Sequence, residues 1–206
     1  MRKPLAAIVL SVLLGMFFRA DIAAQSVVMS NPEAKVTQTV TMETSKGTIV
    51  LGLYGDDAPK TVANFIGLAE KNFYNGILFH RVVPGFVIQA GDPKTKDPNQ
   101  QAAWGTGGES IYGREFEDEL NPATASYKTG YARGVLAMAN RGPNTNTSQF
   151  FICLADLAQL PRNYTMFGRV MKGMEVVDAI AKVELAGSMP KEPVRILSIS
   201  TKAVKK

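Results

Sequence analysis

The run FHRVVPGFVIQ, Phe79 to Gln89, restricts what this chain can fold into more than any other stretch. Apolar and polar residues alternate on both sides of Pro84-Gly85, the pattern of short strands meeting at a tight turn. A second run, MANRGPNTNTSQFFI from Met138 to Ile152, alternates in the same way. In both, a few polar residues (Arg81, Gln89, Asn140 and Gln149) occupy positions that a plain core strand would keep apolar and a plain surface strand would charge. Strands of that kind suit a face that binds an extended peptide.

The rest of the chain is patterned to match. TVTMETSKGTIVLGLY, Thr39 to Tyr54, reads as a hairpin with its turn at Ser45-Lys46-Gly47. Asp56, Asp57 and Pro59 open a helix whose Val62, Phe65, Ile66 and Ala69 fall at i, i+3, i+4 and i+7. A second helix is expected over Met174–Val183, with Val176, Val177, Ile180 and Val183 on one face. Further strands fit Ile77–Val83, Phe86–Ala90, Val135–Asn140, Gln149–Leu154, Thr165–Val170 and Val194–Thr201, which makes eight in all. Many short strands and only two helices favour an antiparallel barrel or sandwich over a doubly wound sheet. Along Gln149–Ile152, Phe150 and Ile152 should point into the core, with Gln149 and Phe151 on the other face.

The N-terminus reads as a targeting signal. Arg2 and Lys3 precede a mostly apolar run of 14 residues, Leu5 to Phe18, which falls short of the ~20 needed to span a bilayer. Residues 1–24 therefore read as a signal peptide, with cleavage after Ile22-Ala23-Ala24 and, as a second choice, after Ala24-Gln25-Ser26. Export to a periplasm or the exterior follows; an uncleaved leader acting as a membrane anchor is the alternative. Residues 25–38 read as a linker, 39–201 as the single domain and 202–206 as a solvated basic tail. The sequence is 206 residues long with 46% hydrophobic content, ample for one core. Without the leader it carries 20 basic and 17 acidic residues, too even a balance to argue for nucleic acid.

Composition also closes off chemistry. One cysteine, Cys153, permits no internal disulfide, and its apolar strand makes it a buried small hydrophobe. One histidine, His80, is too few for tetrahedral zinc and poorly set for a Ser-His-Asp triad, so it reads as a hydrogen-bonded structural residue. The glycines of GTGGESIYG, Gly105 to Gly113, lack the Lys-Ser/Thr of a phosphate loop, and the acidic run Glu115–Glu119 reads as a solvated turn. Trp104 ends a long loop from Pro93 and is expected to pack it down.

FHRVVPGFVIQ, GTGGESIYG, FEDE at Phe116 to Glu119, MANRGPNTNTSQFFI and FGRV at Phe167 to Val170 together closely resemble the cyclophilin family of peptidyl-prolyl cis-trans isomerases. The resemblance runs from about Val40 to Ser200 and, with the leader, suggests a bacterial-like exported member. It implies a mainly β fold, a closed eight-stranded antiparallel barrel with two α-helices covering its ends, and a substrate site on the outer wall. It implies a monomer acting on proline-containing polypeptides in exported proteins, with no metal or other cofactor and no membrane contact after cleavage.

Residue by residue, the resemblance makes Arg81 the catalytic guanidinium, with Gln89 positioning it and Phe86 beside it. Phe86, Val87, Phe151 and Leu160 would wall the proline pocket, with Tyr164 at its rim. Asn140 would bond peptide through its backbone, and Ala139 and Gln149 would line the groove. The chemistry suits these residue types. Conjugation makes rotation about a peptide C–N bond cost ~18–20 kcal/mol, and an arginine donating to the prolyl nitrogen favours the pyramidal, deconjugated state. A binding-only chaperone of the same fold is the runner-up reading, and a secreted structural barrel a distant third.

Three positions depart from the usual family pattern. Tyr164 stands where many members have histidine, Gln159 where many have tryptophan and Val87 where methionine is common. Losing the indole puts tight cyclosporin binding in doubt. Arg141 replaces a small residue and is expected either to narrow a secondary pocket flanked by Thr106, Thr145 and Ser148 or to lie along the surface.

Overall fold

A computed structural model describes residues 33–203, so the leader and the end of the basic tail lie outside the described residues. Strands β1 (Gln38–Thr44) and β2 (Gly47–Leu53) form the expected hairpin, and β10 (Ile196–Ala203) pairs antiparallel along the other edge of β1. The sheet continues through β7 (Met166–Lys172), β5 (Val135–Met138), β6 (Phe150–Cys153) and β4 (Val87–Ala90) to β3 (Arg81–Val83). All eight strands expected from the sequence thus belong to one antiparallel sheet, in the order β10-β1-β2-β7-β5-β6-β4-β3.

That sheet curls but does not close, which corrects the expected closed barrel: no ladder joins β3 to β10. The expected strand Ile77–Val83 begins its ladder only at Arg81. The residues before it cross the seam instead, through an isolated bridge between Leu78 and Arg195 and through Phe79 N–H donating to the Val194 carbonyl at 2.9 Å.

Helix α1 (Pro59–Glu70) starts with proline, whose missing N–H would be unpaired there in any case. The next two amides are capped from far along the chain. Glu119 accepts from Lys60 N–H at 3.0 Å and from Thr61 N–H at 2.8 Å, so the acidic run is a helix cap as well as a surface turn. Helix α2 (Ala125–Thr129) was not expected; Thr124 caps it, and five residues are too few to show a period. Helix α3 (Met174–Ala181) matches the second expected helix. Two further departures are local: a minor hairpin, β8 (Leu185–Ala186) with β9 (Met189–Pro190), and two 3-10 turns, Pro93–Lys96 and Pro98–Ala103. Trp104 packs that loop as expected, its indole N–H donating to the Lys94 and Asp97 carbonyls at 3.0 and 3.2 Å.

Strand alternation splits the apolar residues into two cores. Inside the curl, Met42, Leu51, Ile88, Leu136, Phe150 and Ile152 meet Phe65 of α1 and Ile180 of α3. The Phe65 ring meets that of Phe150 edge-on at 5.6 Å, an arrangement aromatic pairs prefer. On the outer face of β4, β5 and β6, Val87, Ala137, Phe151 and Cys153 form a second cluster with Tyr131 and Met166. The sheet between them is one residue thick.

Candidate active site

Val83 to Phe86 makes the turn that sets up the site. Phe86 N–H donates to the Val83 carbonyl at 2.9 Å, and Gly85 sits at φ 73°, the left-handed conformation that the third residue of a type II turn requires. Pro84, at the second position of that turn, has its own φ preset by its ring. With β3 and β4 so joined, Arg81 lies directly opposite Gln89 in the ladder. Arg81 Nη1 donates to Gln89 Oε1 at 3.2 Å, and the guanidinium lies 5.9 Å from the centre of the Phe86 ring.

Gln89 in turn faces β6. Its Nε2 donates to Gln149 Oε1 at 2.8 Å, and Gln149 Nε2 donates to the carbonyls of Gly105 and Gly107 at 2.9 and 2.6 Å. Three of the four polar side chains singled out by alternation, Arg81, Gln89 and Gln149, are thus one bonded chain across the outer wall.

Beside it lies the apolar part. Val87 and Phe151 are 2% and 5% exposed and form a floor. Phe86, Ala139, Leu160 and Tyr164 are half-buried around it. The Phe151 and Tyr164 rings meet edge-on at 5.6 Å. Tyr131, which the pattern did not single out, fastens this rim: its hydroxyl donates to the Tyr164 carbonyl at 3.0 Å and accepts Tyr164 N–H at 2.9 Å. Burial pushes the Tyr131 phenol up to about 12, so it keeps its proton at any physiological pH and can do both. Its only early signal is a tyrosine one residue past a glycine; the bonds themselves span 33 residues.

Asn140 spends its side chain on the fold, donating to the Asn163 carbonyl at 2.8 Å and to Asp118 at 3.4 Å. Among the described residues, none bonds to its backbone N–H or C=O, so both remain available to an extended peptide. Next to it opens a groove of about 760 Å³ lined by Gln89, Gln149, Ala139, Asn140, Arg141 and Glu115, among others. Thr106 and Thr145 line it as expected, but Ser148 does not: fully buried, it donates to the Gly91 carbonyl at 2.6 Å. Arg141 pairs with Glu115 at the groove's exposed edge. Gln159 is exposed beside the rim residue Leu160.

His80 is 6% exposed; neither ring nitrogen meets a partner at good hydrogen-bond geometry, while the Leu78 backbone and the Gln149 side chain approach closely enough to favour the charged ring, and burial outweighs them to lower its pKa below the usual histidine value. It is a neutral structural residue behind the site. Among the described residues no cluster of histidine, cysteine, aspartate and glutamate could hold a metal ion, and no helix is long and apolar enough to cross a membrane. The arrangement offers a guanidinium donor, held by Gln89, next to an apolar and largely aromatic pocket. Such a site can bind an apolar ring and act on an adjacent amide without nucleophile or redox centre.

Residues 39–201 match the family described as cyclophilin type peptidyl-prolyl cis-trans isomerase/CLD. The chain is 46% identical over 167 residues to peptidyl-prolyl cis-trans isomerase-like 1 of Mus musculus, covering 81% of this chain and 93% of the relative. Against peptidyl-prolyl cis-trans isomerase ppi1 of Schizosaccharomyces pombe the identity is 45% over 159 residues, covering 77% and 95%. The crystal structure of a Cryptosporidium parvum cyclophilin type peptidyl-prolyl cis-trans isomerase matches with a TM-score of 0.71 and 35% identity, covering 82% of this chain and 99% of that one. A structure of that protein in the presence of the dipeptide Ala-Pro matches with the same TM-score of 0.71. These relatives are eukaryotic and lend no support to a bacterial affinity.

Proposed function

Since this chain belongs to the cyclophilin-type peptidyl-prolyl cis-trans isomerases, we propose that it isomerises X–Pro bonds through Arg81. It is an isomerase by family; what is proposed is the division of labour in its site. The proline ring enters the pocket floored by Val87 and Phe151 and rimmed by Phe86, Leu160 and Tyr164. Burying it removes water from the neighbouring amide. Asn140 bonds the peptide backbone, with Ala139 and Gln149 along the groove, which fixes one side of the bond while the acyl side turns. Arg81 donates to the prolyl nitrogen as its lone pair leaves conjugation. That contact strengthens only in the twisted state, so it lowers the barrier rather than merely tightening binding.

The observation that carries this reading is the Arg81 to Gln89 hydrogen bond beside the aromatic pocket. A guanidinium offers N–H donors and no acceptor, which suits it to a nitrogen whose lone pair is being freed. The Ala-Pro dipeptide used with the Cryptosporidium parvum relative supports proline-containing peptides as ligands. Arg81→Ala should lower kcat/KM on an X–Pro peptide about 10² to 10³-fold, equivalent to ~2.7 to 4 kcal/mol, with the fold intact. Full turnover in a folded variant would leave a binding role and remove the mechanism.

The setting is part of the same proposal. The basic n-region and the short apolar run of residues 1–24 support export, a mature chain starting at Gln25 or Val27, and action on exported clients. N-terminal sequencing of protein recovered outside the cytoplasm tests it; Met1 recovered in a membrane fraction would mean an anchor.

A further inference from the structure

Asp92 is fully buried, and its carboxylate accepts three backbone N–H bonds. Lys94 donates to Oδ1 at 2.8 Å, and Gly105 and Gly107 donate to Oδ2 at 2.6 and 3.0 Å. Gly105 and Gly107 are the same two residues whose carbonyls receive the Gln149 amide. One face of this loop is therefore held by Asp92 through its N–H groups, and the other presents its C=O groups to the site.

Donor and acceptor order then fixes everything downstream. A carbonyl can only accept, so the end of Gln149 facing the loop must be its NH₂. Its oxygen consequently faces Gln89 and requires that side chain's NH₂, which leaves Gln89 oxygen facing Arg81. A guanidinium can only donate, so the order is consistent at both ends. Were the loop carbonyls withdrawn, the order would be set from the Arg81 end alone, and Gln149 would lose the two bonds that hold it, and through it Gln89, in place. Close approach reinforces the clamp: a Cβ on Gly107 would lie 2.2 Å from Asp92 Oδ1.

We infer that Asp92 is a positioning residue for the isomerisation, aiming Arg81 through the Gly105–Gly107 loop, Gln149 and Gln89. Its action is on another residue's orientation and never on substrate. The inference rests on Arg81 as the catalytic group, and the experiment separates the two.

Asp92→Ala, Gln149→Ala, their double variant and Arg81→Ala are assayed for kcat and KM on one X–Pro peptide, with an amide NMR spectrum to establish folding. Asp92→Ala should lower kcat about tenfold and leave KM within about twofold, since the proline pocket is untouched. In the Gln149→Ala background the same substitution should change kcat less than about twofold, because the chain is already cut. If Asp92→Ala fails to fold, Gly107→Ala pushes the loop off the carboxylate and should show the same kcat loss and the same disappearance without Gln149. Equal losses in both backgrounds, or a loss confined to KM, would overturn the positioning role. Full turnover by Arg81→Ala would instead overturn the reading on which it stands.

Discussion

Replacing Tyr131 with phenylalanine removes one oxygen and, with it, both bonds that hold Tyr164. The ring itself, 2% exposed, stays packed near Phe151, so no cavity forms. A typical hydrogen bond contributes about 0.5–1.5 kcal/mol net, and a stranded buried group costs more. Tyr164 is only half-buried, and water can replace part of the loss. Two bonds therefore come to ~1–3 kcal/mol, which for a domain of this size is roughly 2–12 °C in Tm. Freed at Tyr164, the rim segment that also carries Leu160 should grip the proline ring less well. KM should rise about three- to tenfold while kcat stays within about twofold, because Arg81 and its amide chain are anchored elsewhere. Urea unfolding and full saturation kinetics measure both. A stability change under ~0.5 kcal/mol, or a fall in kcat at constant KM, would refute the claim that Tyr131 acts by holding the rim.

The same tyrosine contributes to alkaline behaviour: burial raises the phenols of Tyr54, Tyr74 and Tyr131 above the usual value, the last to about 12. Unfolded, each releases its proton near pH 10 and the folded chain holds on longer, so the tyrosine contribution to stability should be flat below pH 10 and fall as pH climbs through about 12, with the buried Cys153 thiol adding to the fall from about pH 9. A pH series of urea titrations measures it, and Tyr131→Phe should fall less steeply. At the groove, an exposed pair such as Arg141–Glu115 contributes little. Peptides with Glu rather than Lys two residues before proline should gain a few-fold in kcat/KM at low salt, Arg141→Ala should erase the difference and Glu115→Ala should widen it. Cys153 is fully buried with its thiol pushed up to about 12, so a thiol reagent at pH 8 should label it only as fast as the fold opens.

How much of this was legible in the sequence differs by interaction range. Period-2 alternation placed Phe150 and Ile152 in the inner core and Phe151 outside it, because a strand's facing is a local property. It also brought out Arg81 and Gln89, whose eight-residue separation across a Pro-Gly turn makes them cross-strand neighbours. Asp92 gave no such sign: at the head of a turn it looks like an ordinary cap, and its reach to Gly105 and Gly107 spans 13 and 15 residues of loop without any period. Closure of the barrel failed for a related reason. Whether β3 meets β10 depends on the accumulated curl of seven earlier pairings, and alternation along Ile77–Val83 is the same whether its neighbour is a ladder or a single bridge.

The open seam leaves β3, the strand that carries Arg81, as the last in the sheet, with one side that another polypeptide could pair with. Unpaired strand edges template aggregation and domain exchange. Here the small β8–β9 hairpin occupies the space: the Val82 N–H donates to the Ser188 carbonyl at 2.6 Å. Pro190, in the strand beside it, has no N–H with which to extend the sheet further. The six residues from Leu185 to Pro190, too few to show a strand period in the sequence, thus act as a stopper that keeps the strand carrying Arg81 from pairing with another chain through its own edge.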